Sequence, residues 1–76
     1  MSNYIVKWCP VCNQGWVQIL KDIATSKLYL CCDECESEWI EPSEIMAYNH
    51  NRDTFGRSIT PNIDEIKEVS WEVYLI

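Results

Sequence analysis

Two short motifs decide the fold of this chain: Cys9-Pro10-Val11-Cys12 and Cys32-Asp33-Glu34-Cys35. Residues 13–31, a stretch of 19, separate the cysteine pairs, within the range of roughly 15–20 that is typical of a zinc site. Each motif places two sulfurs on one side of a metal, and a hairpin returns the second pair to the other side. The spacing therefore predicts a zinc ion bound by Cys9, Cys12, Cys32 and Cys35.

Length and composition limit the class of protein. A chain of 76 residues forms one domain at most, and its core alone leaves it marginally stable, so a metal is an expected source of stability. A hydrophobic content of 47% excludes a disordered chain. No apolar run approaches the ~18 residues of a membrane span, and the N-terminus does not resemble a signal peptide. We therefore expect a cytoplasmic protein with reduced thiols.

The fifth cysteine, Cys31, adjoins Cys32, and either thiol is a candidate ligand. The two-residue spacing to Cys35 favours Cys32, which leaves Cys31 on the opposite face of its strand. A small apolar role for Cys31 and a reactive or alternate-ligand role both remain open, as do a structural and a ligand role for His50. Four thiolates leave no open position for water, which favours a structural site over a catalytic or redox site.

Strand composition surrounds both motifs. Alternating or β-branched and aromatic residues predict strands over residues 4–8, 16–20, 27–31 and 37–40. The polar residues 21–26 predict the connection of a hairpin. Four tryptophans are many for a chain of 76 residues, and large aromatic side chains compensate for a small interior. We therefore expect Trp8, Trp16 and Trp39 in the core, with Trp71 either in the core or at an interface.

Short helices are predicted after Pro42. Ser43 is expected to cap a helix that continues through Ala47. Thr60-Pro61 predicts a second helix, with threonine as N-cap and proline at the first helical position. Residues 71–76 have strand composition, although they are also compatible with a continued helix. The predicted fold class is a small metal-stabilised α+β domain: a β-hairpin core with short helices and a C-terminal strand or helix.

A longer pattern resembles a known family. The stretch Trp-Cys-Pro-Val-Cys-Asn-Gln-Gly-Trp at 8–16, followed by Cys-Asp-Glu-Cys at 32–35 and by Trp39, is similar to small bacterial zinc-ribbon proteins over roughly residues 4–45. The resemblance implies a zinc ribbon, and it favours Cys32 over Cys31 as ligand. We expect one domain over residues 1–76, with the ribbon at 4–41 and a C-terminal extension at 42–76. A ribbon serves many functions, so no activity follows from it.

Acidic residues are concentrated near the second cysteine pair. The formal net charge is -6, and six of the 12 acidic residues lie between positions 33 and 44, without a base among them. One interpretation is a solvated face, and the other is a surface complementary to a basic partner. The second interpretation assigns partner binding to Asp33, Glu34, Glu36, Glu38, Glu41, Glu44, Tyr48 and Phe55.

The sequence contains no constellation typical of a catalytic site, so we predict a non-enzymatic binding protein. The specific hypothesis is an acidic inhibitor or immunity protein that neutralises a basic protein such as a toxin nuclease. The main alternative is a nucleic-acid-binding zinc ribbon that acts in transcription or translation. Its only basic region surrounds Lys21 and Lys27, a weak footprint for phosphate binding. An enzyme and a subunit of a larger assembly are weaker alternatives, and nothing in the sequence defines the oligomeric state.

Overall fold

The computed structural model describes residues 4–45 and 56–76 of the chain. Its strands are β1 (Ile5–Trp8), β2 (Trp16–Asp22), β3 (Leu28–Cys32), β4 (Glu38–Trp39) and β5 (Ser58–Ile59). The α-helix α1 (Ile63–Glu68) lies between two 3₁₀ helices, Pro42–Glu44 and Trp71–Tyr74. The strands form one antiparallel sheet in the order β1-β2-β3-β4, and β5 pairs with the last two residues of β2. A small antiparallel sheet with a short helix is compatible with the predicted fold class.

One face of the sheet carries the core. Alternate residues of a strand face the same side, and those on β2 and β3 that face the core are fully or almost fully buried: Val17, Ile19, Leu30 and Cys32. Trp39 on β4 pairs with Leu30 and joins this cluster. Ile66 of α1 has no exposed surface and packs in the same cluster. Burial of such an aliphatic side chain contributes about 1.5–3 kcal/mol, so Ile66 anchors α1 to the sheet.

The N-terminus of α1 differs from the prediction. Asn62, not Thr60, is the N-cap: its side chain accepts a hydrogen bond from the Glu65 amide, 2.9 Å, and the Glu65 carboxylate accepts from the Asn62 amide, 3.1 Å. This capping box satisfies two amides that the first helical turn leaves without a partner. Pro61 therefore precedes the helix rather than occupying its first position.

Two other predicted elements are also corrected. Ser43 lies inside the 3₁₀ helix Pro42–Glu44 and does not cap it, because Glu41 is the N-cap and Ile45 already has extended backbone. Residues beyond Ile45, including Ala47, lie outside the described ranges. Trp71–Tyr74 is a 3₁₀ helix and not a strand. The break after α1 occurs at Ser70, whose φ of 61° places it in the left-handed region.

The four tryptophans differ in burial. Trp39 is 3% exposed, which confirms its predicted core position. Trp8 and Trp16 are each 41% exposed, so their predicted burial is wrong. The reason is strand alternation: since Val17 faces the core, its neighbour Trp16 points to the other side of β2. Trp71 is half-buried against the core cluster. No helix in the described part of the chain is long and apolar enough to cross a membrane.

Candidate metal centre

The four predicted ligands converge at one end of the sheet. Their Sγ atoms all lie within 4.8 Å of one another. The Sγ atoms of Cys9 and Cys35 are 3.8 Å apart and those of Cys12 and Cys32 are 3.6 Å apart, much longer than a disulfide bond of about 2.05 Å. A tetrahedral site with metal–sulfur bonds of about 2.3 Å has sulfur–sulfur edges of about 3.8 Å. The cluster therefore has the spacing that a metal ion requires.

The same backbone arrangement holds both pairs of ligands. In the first cysteine motif (residues 9–13) the Val11 amide donates to Cys9 Sγ, 3.4 Å, and in the second cysteine motif (residues 32–36) the Glu34 amide donates to Cys32 Sγ, 3.4 Å. Hydrogen bonds from amides stabilise the negative charge of thiolates. Such bonds outside the coordination sphere also orient the ligands.

Each motif ends with a residue in the left-handed region. Asn13 follows Cys12 with a φ of 55°, and Glu36 follows Cys35 with a φ of 60°. This conformation reverses the chain after each pair, so that the amide of the leading cysteine reaches a later carbonyl. Cys9 N donates to Gly15 O, 2.8 Å, and the corresponding bond of the second motif runs from Cys32 N to Ser37 O, 2.9 Å.

Gly15 allows the segment that follows the first motif to touch the second motif. A Cβ atom at this position would lie 2.5 Å from Asp33 Oδ1 and 2.7 Å from Glu34 Cγ, closer than carbon atoms pack. Next to it, Asp33 Oδ1 accepts a hydrogen bond from Trp16 N, 2.9 Å, and Asp33 N donates to Trp16 O, 3.1 Å. Neither structural role, that of Gly15 or that of Asp33, was predicted from the sequence. The available signal was that Gly15, one of only two glycines in the chain, lies three positions after Cys12.

The thiols differ in acidity when no metal is bound. Burial opposes ionisation of Cys35, but hydrogen bonds with Ser37, Cys32 and Cys12 outweigh it and lower the pKa of Cys35 to about 6. Burial raises the pKa of Cys32 to about 12. Since a metal binds the thiolate form, binding must release protons from the buried cysteines, and acid must weaken it.

Cys31 is not part of the cluster, as the two-residue spacing predicted. It occupies the position before Cys32 on β3, where its register partners are Gln18 and Glu38. Burial, followed by the nearby carboxylates of Glu38 and Glu36, raises the pKa of Cys31 to about 12. The thiol is therefore protonated near neutral pH and is a weak nucleophile. His50 lies outside the described residues.

The predicted acidic surface contains both exposed and buried carboxylates. Its exposed members are Asp33, Glu34, Glu36, Glu41 and Glu44. Glu38 is only 5% exposed, so its side chain offers little surface to a partner. The physical reason is that β4 pairs with β3 and brings Glu38 alongside Cys31 inside the sheet. Tyr48 and Phe55 lie outside the described residues.

An exposed aromatic pair lies beside the metal centre. Trp8 and Trp16 are register partners on β1 and β2, and their rings meet edge to face, with centroids 4.8 Å apart and planes at 80°. The Trp8 indole donates from Nε1 to Asn13 Oδ1, 2.7 Å, which ties the ring to the first cysteine motif. The sequence does not predict this pair, because both residues are of a type expected in the core. For Trp16, alternation from Val17 was an available signal.

No family model matches the chain, and no curated protein or solved structure is significantly similar to it. The support for a zinc-ribbon-like motif is therefore the cluster of Cys9, Cys12, Cys32 and Cys35 itself.

Proposed function

We propose that the four cysteines hold one structural zinc ion and that the chain is a zinc ribbon. A set of four thiolates suits zinc or iron. Zinc is favoured because the second motif lacks the Cys-Pro-x-Cys-Gly sequence expected of rubredoxin-type iron sites. Bound there, zinc would cross-link the two motifs and would leave no coordination position for a substrate. Native mass spectrometry should detect one zinc ion per chain, and detection of iron instead would refute this assignment.

We further propose that the protein is a non-enzymatic inhibitor or immunity protein for a basic protein such as a toxin nuclease. The observation that carries this proposal is the position of three exposed carboxylates, Asp33, Glu34 and Glu36, on a loop braced by two metal ligands. A rigid loop loses little conformational entropy on binding. Its negative charge would attract a basic surface and select against acidic ones.

The nucleic-acid alternative has less support. It depends on Lys21 and Lys27, and Lys21 forms an ion pair with Glu65 of α1. The lysine is thereby partly neutralised, and the exposed carboxylates of the second motif would repel phosphates.

Charge reversal at the second motif tests the inhibitor hypothesis. We expect Glu34→Lys/Glu36→Lys to weaken binding to a basic toxin nuclease that the unmodified chain binds by roughly tenfold or more, since each reversal replaces an attraction of up to about 1 kcal/mol by a repulsion. The matched control is Glu68→Lys/Glu72→Lys, which changes the charge equally on the C-terminal helices. Isothermal titration calorimetry measures both, with zinc content checked in each variant.

Three outcomes would contradict the inhibitor hypothesis. One is equal affinity of the two double variants for the basic protein, which would show that net charge matters and the site does not. Another is the absence of binding by the unmodified chain. The third is tight oligonucleotide binding that weakens steeply as salt is raised, which would favour the nucleic-acid alternative.

A further inference from the structure

The Trp8–Trp16 pair exposes apolar surface that the fold itself does not use. Both rings are 41% exposed although the chain has a core in which Trp39 is almost fully buried. Their planes are nearly perpendicular, so the edge of one ring meets the face of the other. Exposed tryptophan is costly in water and is the residue most enriched among the residues that dominate binding energy at protein interfaces.

Carboxylates adjoin the aromatic pair. The backbone of Trp16 exchanges two hydrogen bonds with Asp33, and the neighbouring Glu34 side chain packs over Gly15. Both acidic side chains are exposed, and neither forms an ion pair within residues 4–45 and 56–76. The exposed tryptophans and carboxylates therefore adjoin one another, with Trp8 bonded to Asn13 of the first cysteine motif and Trp16 bonded to Asp33 of the second.

We propose that this surface, formed by Trp8, Trp16, Asp33 and Glu34, binds an arginine-bearing segment of a partner protein; the proposal rests on the function proposed above and specifies its partner. A guanidinium stacks on an indole face and at the same time donates paired hydrogen bonds to a carboxylate. A lysine ammonium provides the charge but neither the planar stacking nor the paired hydrogen bonds. The surface should therefore distinguish arginine from lysine at equal charge.

Two peptides of equal charge, hexaarginine and hexalysine, test this. Each is titrated into the ¹⁵N-labelled, zinc-loaded protein, and the indole N–H signals are followed by NMR. We expect hexaarginine to bind about fivefold more tightly than hexalysine. It should shift the indole signals of Trp8 and Trp16, while that of the buried Trp39 serves as an internal reference.

Variants separate stacking from charge. Trp16→Leu should reduce the preference for hexaarginine to near unity, and it should leave the affinity for hexalysine almost unchanged. Tyr74→Leu is the control, because Tyr74 is also 41% exposed but lies on the C-terminal 3₁₀ helix. Glu34→Gln should weaken the binding of both peptides. The titration of the unmodified protein tests the proposal even if a tryptophan variant fails to fold.

The outcomes distinguish this proposal from the one on which it rests. Equal affinity for the two peptides, or no movement of the Trp8 and Trp16 indole signals, overturns the arginine site. If charge reversal at Glu34 and Glu36 still abolishes binding to the basic partner, the inhibitor hypothesis stands without it. The inhibitor hypothesis fails instead if Glu34→Lys/Glu36→Lys and Glu68→Lys/Glu72→Lys bind the basic partner with equal affinity.

Discussion

The two cysteine motifs have nearly the same backbone and very different side chains. In both, the leading cysteine is buried, at 0% for Cys9 and 1% for Cys32, and an amide two residues later donates to its sulfur. In both, the residue after the trailing cysteine adopts left-handed backbone. Two sequences with no shared residue apart from cysteine thus reach one geometry, because four sulfurs must meet at one point.

The side chains between the ligands differ in chemistry. The first motif carries Pro10 and Val11, both half-buried, whereas the second carries exposed Asp33 and Glu34. A metal bound by the four cysteines would constrain the backbone and the sulfurs but not these intervening positions. The second motif is thus able to present a charged surface without loss of the sulfur geometry, which is why we propose it, and not the first motif, as the partner-binding surface.

The largest expected effect is removal of a ligand. Cys9→Ser should lose zinc and unfold, because structural zinc contributes on the order of 10 kcal/mol in zinc-finger peptides and the core of a 76-residue chain does not replace it. Native mass spectrometry measures the zinc content, and circular dichroism measures the fold. Chelation of zinc from the unmodified protein should produce the same unfolded state.

Cys31→Ser provides the matched control for that change. It makes the same replacement of sulfur by oxygen at the residue before Cys32, but Cys31 lies outside the cluster. We expect one zinc ion per chain and a loss of at most about 1 kcal/mol in the free energy of unfolding, typical of a partly buried substitution away from special sites. Loss of zinc in Cys31→Ser, or a folded, metal-free Cys9→Ser, would contradict the assignment of the four ligands.

A smaller effect is expected where the motifs touch. Gly15→Ala places a methyl group against Asp33 and Glu34, so the second motif must move away from residue 15. We expect a loss of about 1–3 kcal/mol in the free energy of unfolding, the range for overpacking a close contact. Gly56→Ala is the control, because no described atom lies within 4 Å of the added carbon. Urea unfolding at a fixed zinc concentration measures both, and equal stabilities would show that the contact is loose.

The sequence predicted best what depends on spacing. The four ligands were identifiable because two cysteine pairs at this distance have few other uses in a chain this small. The strands around them followed from β-branched and aromatic runs such as Trp16–Asp22. The connectivity, two strands joined by a short polar turn, then placed the pairs at one end of the sheet.

What the sequence did not predict depends on contacts between distant residues. Trp8 and Trp16 have the composition of core residues. The burial of Val17 places Trp16 on the other face of β2, and Trp8 on β1 is the register partner of Trp16. Glu38 is polar and yet buried, because β4 pairs with β3. Thr60 and Asn62 are both good N-cap residues for α1. Glu65 favours Asn62, because it lies three residues after Asn62 and completes a capping box with it.

Glycine substitutions at the two left-handed residues should change the free energy of unfolding least of all, and with opposite signs in the two motifs. Glu36 holds a left-handed conformation that is costly for a side chain of its type, so Glu36→Gly should raise the free energy of unfolding by about 0.5 kcal/mol, after the greater flexibility of glycine in the unfolded chain is subtracted. Asn13 tolerates that conformation better and also accepts the Trp8 indole hydrogen bond, so Asn13→Gly should lower it by about 0.5–1 kcal/mol. Urea unfolding of the zinc-loaded variants measures both changes. If both substitutions changed the free energy of unfolding with the same sign, the hydrogen bond between Asn13 and Trp8 would not contribute as expected.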